Sequence, residues 1–124
     1  MPVILKIDSH RKVVYSTFYG KVTDEEFLRH GATIASDPDF RTDFSEIVDF
    51  TDVTHANISE STLTTMANTR SLFSQSVFHI VVAADGALFE LASRYKELTR
   101  KSRPNLFVVR TRAEAYKVLA KRKE

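Results

Sequence analysis

The chain has 124 residues, 43% of them hydrophobic and 27% charged, with no cysteine and a formal net charge of +2. That length suits one hydrophobic core, so a single domain over 1–124 is expected, and the lack of cysteine excludes disulfides, thiolate zinc sites and cysteine nucleophiles. No apolar run approaches the roughly 18 residues a membrane span needs, and the opening MPVILKID reads as a strand rather than a signal peptide, so a cytoplasmic protein is expected.

Residues 2–7 (PVILKI) and 12–19 (KVVYSTFY) are β-rich runs separated by the turn-forming set Asp8, Ser9, His10 and Arg11, which predicts an opening hairpin. Gly20 is expected to end the second strand. Thr23 to Glu26 has the form of a capping box, and Phe27, Gly31 and Ile34, beside Leu28 and Ala35, supply the stripe of a helix over 24–36 that Asp37 and Pro38 stop. Phe40 and Phe44 are expected to pin the connection over 39–43 to the core. Ile47, Val48 and Phe50 read as a strand over 45–50 that runs into a polar loop holding Asp52, His55 and Asn57. A helix over 59–73 follows, with Leu63, Met66, Ala67 and Phe73 at helical spacing.

The apolar run FHIVVAA (78–84) predicts a central strand covered on both faces. Asp85-Gly86 makes the turn into a helix over 87–101, with Leu88, Leu91, Ala92, Tyr95 and Leu98 on one face and a basic end before Pro104. A last strand (105–109) and a second capping box at Thr111 and Glu114 lead to a helix over 112–122, packed through Ala115, Val118 and Leu119. The order ββαβαβαβα predicts an α/β fold: a mostly parallel sheet with right-handed crossovers and an antiparallel opening hairpin.

The chemistry is sparser. Three glycines, at 20, 31 and 86, form neither a Walker-type loop nor a dinucleotide fingerprint. Of the histidines, His10 reads as a solvated turn residue, His30 as a helix-surface residue and His79 as the start of a strand, whereas His55 has Asp49, Asp52 and Asn57 within reach of its loop. The spacing Asp49-x-x-Asp52-x-x-His55 matches no metal motif, and a hydrolytic triad of Ser59 or Ser61 with His55 and Asp52 needs geometry that loop neighbours rarely reach. No metal, cofactor or enzymatic activity is expected. Hydroxyls crowd the stretch after the third strand, where Ser59 suits a helix N-cap and equally a phosphoacceptor, a phosphate adding about −1.5 to −2 charge.

Charge is uneven along the chain: residues 1–62 carry 6 Lys/Arg and 11 Asp/Glu, net −5, and residues 63–124 carry 12 and 5, net +7. Such polarity suits an acidic partner or head-to-tail self-association. The basic residues Arg94, Lys96, Arg100, Lys101 and Arg103 and the basic tail lack interleaved surface aromatics, which argues against nucleic-acid binding.

The segments YGKVTDEEF (19–27), IVDFTDVT (47–54) and FVVRTRAEAYKVL (107–119), in this order, resemble the STAS-type, SpoIIAA-like superfamily. More narrowly, the chain is similar to bacterial SpoIIAA-like proteins that share a G-x-V-T-x-E-E helix start. The resemblance implies a SpoIIAA-like (STAS) domain that regulates by binding a protein partner, in the manner of anti-sigma-factor antagonists, and that forms a homo-oligomer such as a dimer. The carboxyl edge of a parallel sheet is where partners tend to meet, so the partner-binding surface is expected at Asp52, His55, Asn57, Ser59, Ser61 and Thr62. In those antagonists a Ser at this helix start is phosphorylated, and Ser59 is the nearest match, with Asn57 where they carry Asp. The resemblance also implies an alternative, a lipid-like ligand in an apolar pocket between sheet and helices, for which Phe40, Phe44, Phe73, Phe78 and Phe89 are the candidate lining.

Overall fold

Side-chain alternation in the second strand sets up the two faces of the sheet. The structure is a computed structural model that describes residues 2–68, 71–84 and 86–123. Five strands, β1 (Val3–Asp8), β2 (Val13–Thr23), β3 (Ser45–Asn57), β4 (His79–Val82) and β5 (Leu106–Val109), lie side by side in chain order. β1 runs antiparallel to β2, and β2 to β5 are mutually parallel. Between and after them come α1 (Asp24–Ser36), α2 (Glu60–Asn68), α3 (Gly86–Leu98) and α4 (Arg112–Ala120), which ends in a 3-10 turn, Lys121–Lys123. The fold is α/β, with the mostly parallel sheet and four helices predicted from the element order.

Phe18, Phe50 and Val81 lie on the sheet face packed against α1 and α3, where Phe27, Leu88 and Ala92 meet them. Val13, Ile47, Ile80 and Val82 lie on the opposite face, against Ala115 and Leu119 of α4. All four residues of β4 are buried, as expected of a strand covered on both sides. Both predicted capping boxes form: Thr23 with Glu26, and Thr111 with Glu114. No helix among the described residues is long and apolar enough to cross a membrane.

Several boundaries differ from the sequence reading. Gly20 does not end β2; at φ 66° it sits between two register shifts, and the strand continues to Thr23. A glycine reaches positive φ without a Cβ penalty, so β2 absorbs an irregularity here instead of stopping. Correspondingly β3 extends to Asn57, and Asp52, His55 and Asn57 lie in a strand, opposite Tyr19, Lys21 and Thr23, not in a loop. Partner-strand pairing overrides the polar composition of this stretch. α3 ends at Leu98, which is 40% exposed, off the buried face, while Thr99 is fully buried and its hydroxyl donates to the Tyr95 carbonyl at 2.8 Å. The predicted helix over 59–73 is helical only over Glu60–Asn68, and residues 71–73 are not helical, although Phe73 still packs inward; residues 69–70, like Asp85, lie outside the described residues.

Candidate functional site

Helices α1, α2 and α3 do not close fully on the sheet. A cavity of about 360 Å³ remains between them, floored by Phe18, Val48, Phe50 and Val81 and roofed by Leu63 of α2 and Leu88 and Ala92 of α3. Small residues on the facing helices leave the space. Gly31 lines the cavity, and a Cβ added there would meet no atom within 4 Å. Leu28 and Leu72, 43% and 37% exposed, are the large lining residues most open to solvent and mark its mouth.

Polar side chains interrupt this apolar lining on several elements. His30 of α1 is buried, with Nε2 2.6 Å from Ser16 Oγ, its ring edge-on to Phe18, and Nδ1 buried without a hydrogen-bond partner among the described residues. Burial lowers its pKa, against a smaller opposing influence of the Glu46 carboxylate. Glu46 and His79 are direct neighbours on β3 and β4, and His79 Nδ1 lies 2.8 Å from Glu46 Oε1. Tyr95 of α3 also lines the cavity, and burial pushes its phenol up to about 12 against the opposing pull of Arg103. Arg103 is only 9% exposed; its guanidinium stands 5.6 Å over the Tyr95 ring, and Nη1 donates to Ser102 Oγ at 3.4 Å. It forms no ion pair among the described residues.

The sequence placed candidate residues elsewhere, at the start of α2 and the end of β3. Ser59 does act as the N-cap: its Oγ accepts from the Thr62 amide at 3.2 Å. Its own amide donates to Asp24 Oδ1 at 2.8 Å, linking the starts of α2 and α1, and this bond, outweighing a small burial effect, lowers the Asp24 pKa. Ser61 and Asn57 are exposed, whereas Thr62 is buried. Asp52 accepts from Arg112 Nη2 at 3.0 Å, and His55 Nδ1 lies 3.4 Å from Thr54 Oγ1, so the hydroxyl, imidazole and carboxylate of the conceivable triad each have other partners.

Arg112 also donates through Nε to the buried Asp49, whose carboxylate further accepts from the Thr51 amide at 2.9 Å and the Thr51 hydroxyl at 2.5 Å. Burial raises the Asp49 carboxyl, yet those hydrogen bonds and the nearby guanidinium outweigh it and hold the pKa below the ordinary value. A second, smaller cleft of about 110 Å³ lies beside this group, lined by Tyr15, Thr17, Asp49, Arg112 and Tyr116.

One histidine reading changes: His30 is not a helix-surface residue but a buried one. His79 starts its strand as read and is buried in a pair with Glu46. Of the five phenylalanines proposed as pocket lining, only Phe73 lines the cavity; Phe40 and Phe44 pack in a neighbouring cluster, Phe78 on the α4 side, and Phe89 against Arg110. Sequence reasoning passed over Ser16, Glu46, Tyr95 and Arg103. The available signal was strand phase: Ser16, Glu46 and His79 each sit two residues from an apolar residue of the same buried face, a polar residue at an inward position. No protein-family model matches the chain, and no curated protein matches it.

Proposed function

We propose that the chain is a small-molecule binding domain that holds an apolar ligand between its sheet and its first three helices. The observation carrying this reading is the cavity of about 360 Å³, apolar over most of its wall and entered between Leu28 and Leu72. That volume falls in the range of small-molecule pockets, about 300–1,000 Å³. Unfilled apolar space costs roughly 20–25 cal/mol per Å³, a cost that a bound apolar molecule removes. The resemblance to SpoIIAA-like proteins is compatible with the reading and does not carry it.

Gly31 supplies the test. Gly31 lines the cavity and a Cβ there meets no atom within 4 Å beyond its own helix, so Gly31→Leu is expected to fill part of the cavity. Wild-type protein is expected to enhance the fluorescence of the neutral probe N-phenyl-1-naphthylamine saturably, and Gly31→Leu, folded by circular dichroism, is expected to lose that response. Equal probe binding by both proteins would place the ligand elsewhere and defeat the reading.

A second reading, a protein-interaction surface over Asp52 to Thr62, draws support from one contact. The amide of Ser59 and the carboxylate of Asp24 join α2 to α1, two helices that roof the cavity. A phosphate on Ser59 would set about −1.5 to −2 charges against that carboxylate and loosen the link.

A further inference from the structure

Resting on the pocket reading above, we infer that the cavity selects a compact monocarboxylate, its apolar body among the phenylalanines and leucines and its anionic head on Arg103 and Tyr95. Arg103 belongs to the basic run LTRKSRP, but Arg100 and Lys101 of that run are exposed whereas Arg103 is buried on the cavity wall. A guanidinium withdrawn from water without a carboxylate is costly, and its fork of donors matches a carboxylate in two parallel hydrogen bonds. Among the described residues Arg103 has a weak bond to Ser102 and the Tyr95 ring, and no acidic partner.

Tyr95 beside it suits the same head, and other polar groups line the same cavity. Tyr95 keeps its proton far above neutral pH, and its hydroxyl has no hydrogen-bond partner among the described residues, so it is a second donor. His79 has Nδ1 engaged with Glu46, leaving Nε2 without a partner among the described residues. Glu46 is the sole carboxylate among the described lining residues, and its bond to His79 engages one oxygen. A doubly charged head would meet more repulsion from Glu46 than a singly charged one. The volume, about 360 Å³, corresponds to roughly a dozen water-sized groups at about 30 Å³ each.

Decanoate has that size and charge, and 1-decanol is its neutral counterpart. Calorimetric titration of wild-type protein at neutral pH is expected to give decanoate an affinity about 10-fold or more above that of 1-decanol. Arg103→Met is expected to remove the preference, bringing decanoate down to the affinity of 1-decanol. Decanoate binding no tighter than 1-decanol, including failure of both while the neutral probe still binds, would overturn the head-group assignment and leave the pocket standing. Tighter binding of decyl phosphate than of decanoate would overturn the choice of a monocarboxylate. Loss of the neutral probe as well would defeat the pocket itself. Should Arg103→Met fail to fold, the wild-type comparison decides alone, and Tyr95→Phe, expected to weaken decanoate more than 1-decanol, provides the second variant.

Discussion

His30 illustrates how one side chain ties the helix layer to the sheet and makes stability depend on pH. Its ring is buried against Phe18 and bonded to Ser16 on β2, and burial lowers its pKa from the ordinary 6.5. The folded protein therefore resists protonating His30 where the unfolded chain accepts a proton. The His30 contribution to stability is complete above about pH 6.5 and is lost as pH falls towards the lowered folded value. Urea unfolding across this interval is expected to show wild-type stability falling with pH, and His30→Gln, which keeps a polar group near Ser16, is expected to flatten the curve. Parallel curves for the two proteins would assign the dependence to other groups. None of this was legible in the sequence, where a histidine in the middle of an amphipathic helix reads as well outside as inside.

Helix starts were the most legible elements, because a cap is a contract between residues three apart. Thr23 with Glu26 and Thr111 with Glu114 form the boxes their spacing predicts. Ser59 was legible as a cap too, but its connection to Asp24, 35 residues away, was not. This connection changes what an acidic substitution does. Ser59→Ala should cost about 1 kcal/mol through the lost cap. Ser59→Asp is a good cap in isolation, yet here its carboxylate stands beside that of Asp24, so it is expected to restore only part of the stability. In an Asp24→Asn background the same substitution should restore more. A double-mutant cycle by urea denaturation measures the coupling, and additivity of the two changes would show that the carboxylates do not sense each other. The strand ends were less legible: Gly20 and the polar run from Thr51 to Asn57 look like stops, and only mutual pairing of β2 with β3 keeps both strands going.

Across the molecule a few ion pairs join the oppositely charged halves of the chain. Arg94 pairs with Glu60, Arg112 with Asp49 and Asp52, and His79 meets Glu46, each joining the basic half to the acidic one. The exposed pair with Glu60 is worth little, about 0–1 kcal/mol. Arg112 matters more because Asp49 is buried, and the contact fastens the start of α4 to the sheet. Arg112→Ala is expected to cost about 1–3 kcal/mol at neutral pH by leaving that carboxylate short of a partner. The Asp49 pKa is lowered in the fold, so the stability it brings is present above the ordinary 3.8 and is lost as pH falls through the folded value. The gap between wild type and Arg112→Ala should accordingly narrow in acid, and a gap constant down to low pH would mean that packing of the arginine stem, not its charge, holds α4.

From the sequence by itself came the order of strands and helices, the α/β class, the capping residues and the burial of β4, because these rest on periodicity and on hydrogen bonds between near neighbours. Only the tertiary structure decided that β2 and β3 extend past their apolar cores, that Arg103 turns inward while its basic neighbours stay out, and that the helices leave a cavity over the sheet. Each depends on residues brought together by the crossovers from distant parts of the chain. Unfilled volume above all is a sum over five or more elements, and no local pattern of Gly31, Ala92 or Leu63 records what the others leave empty.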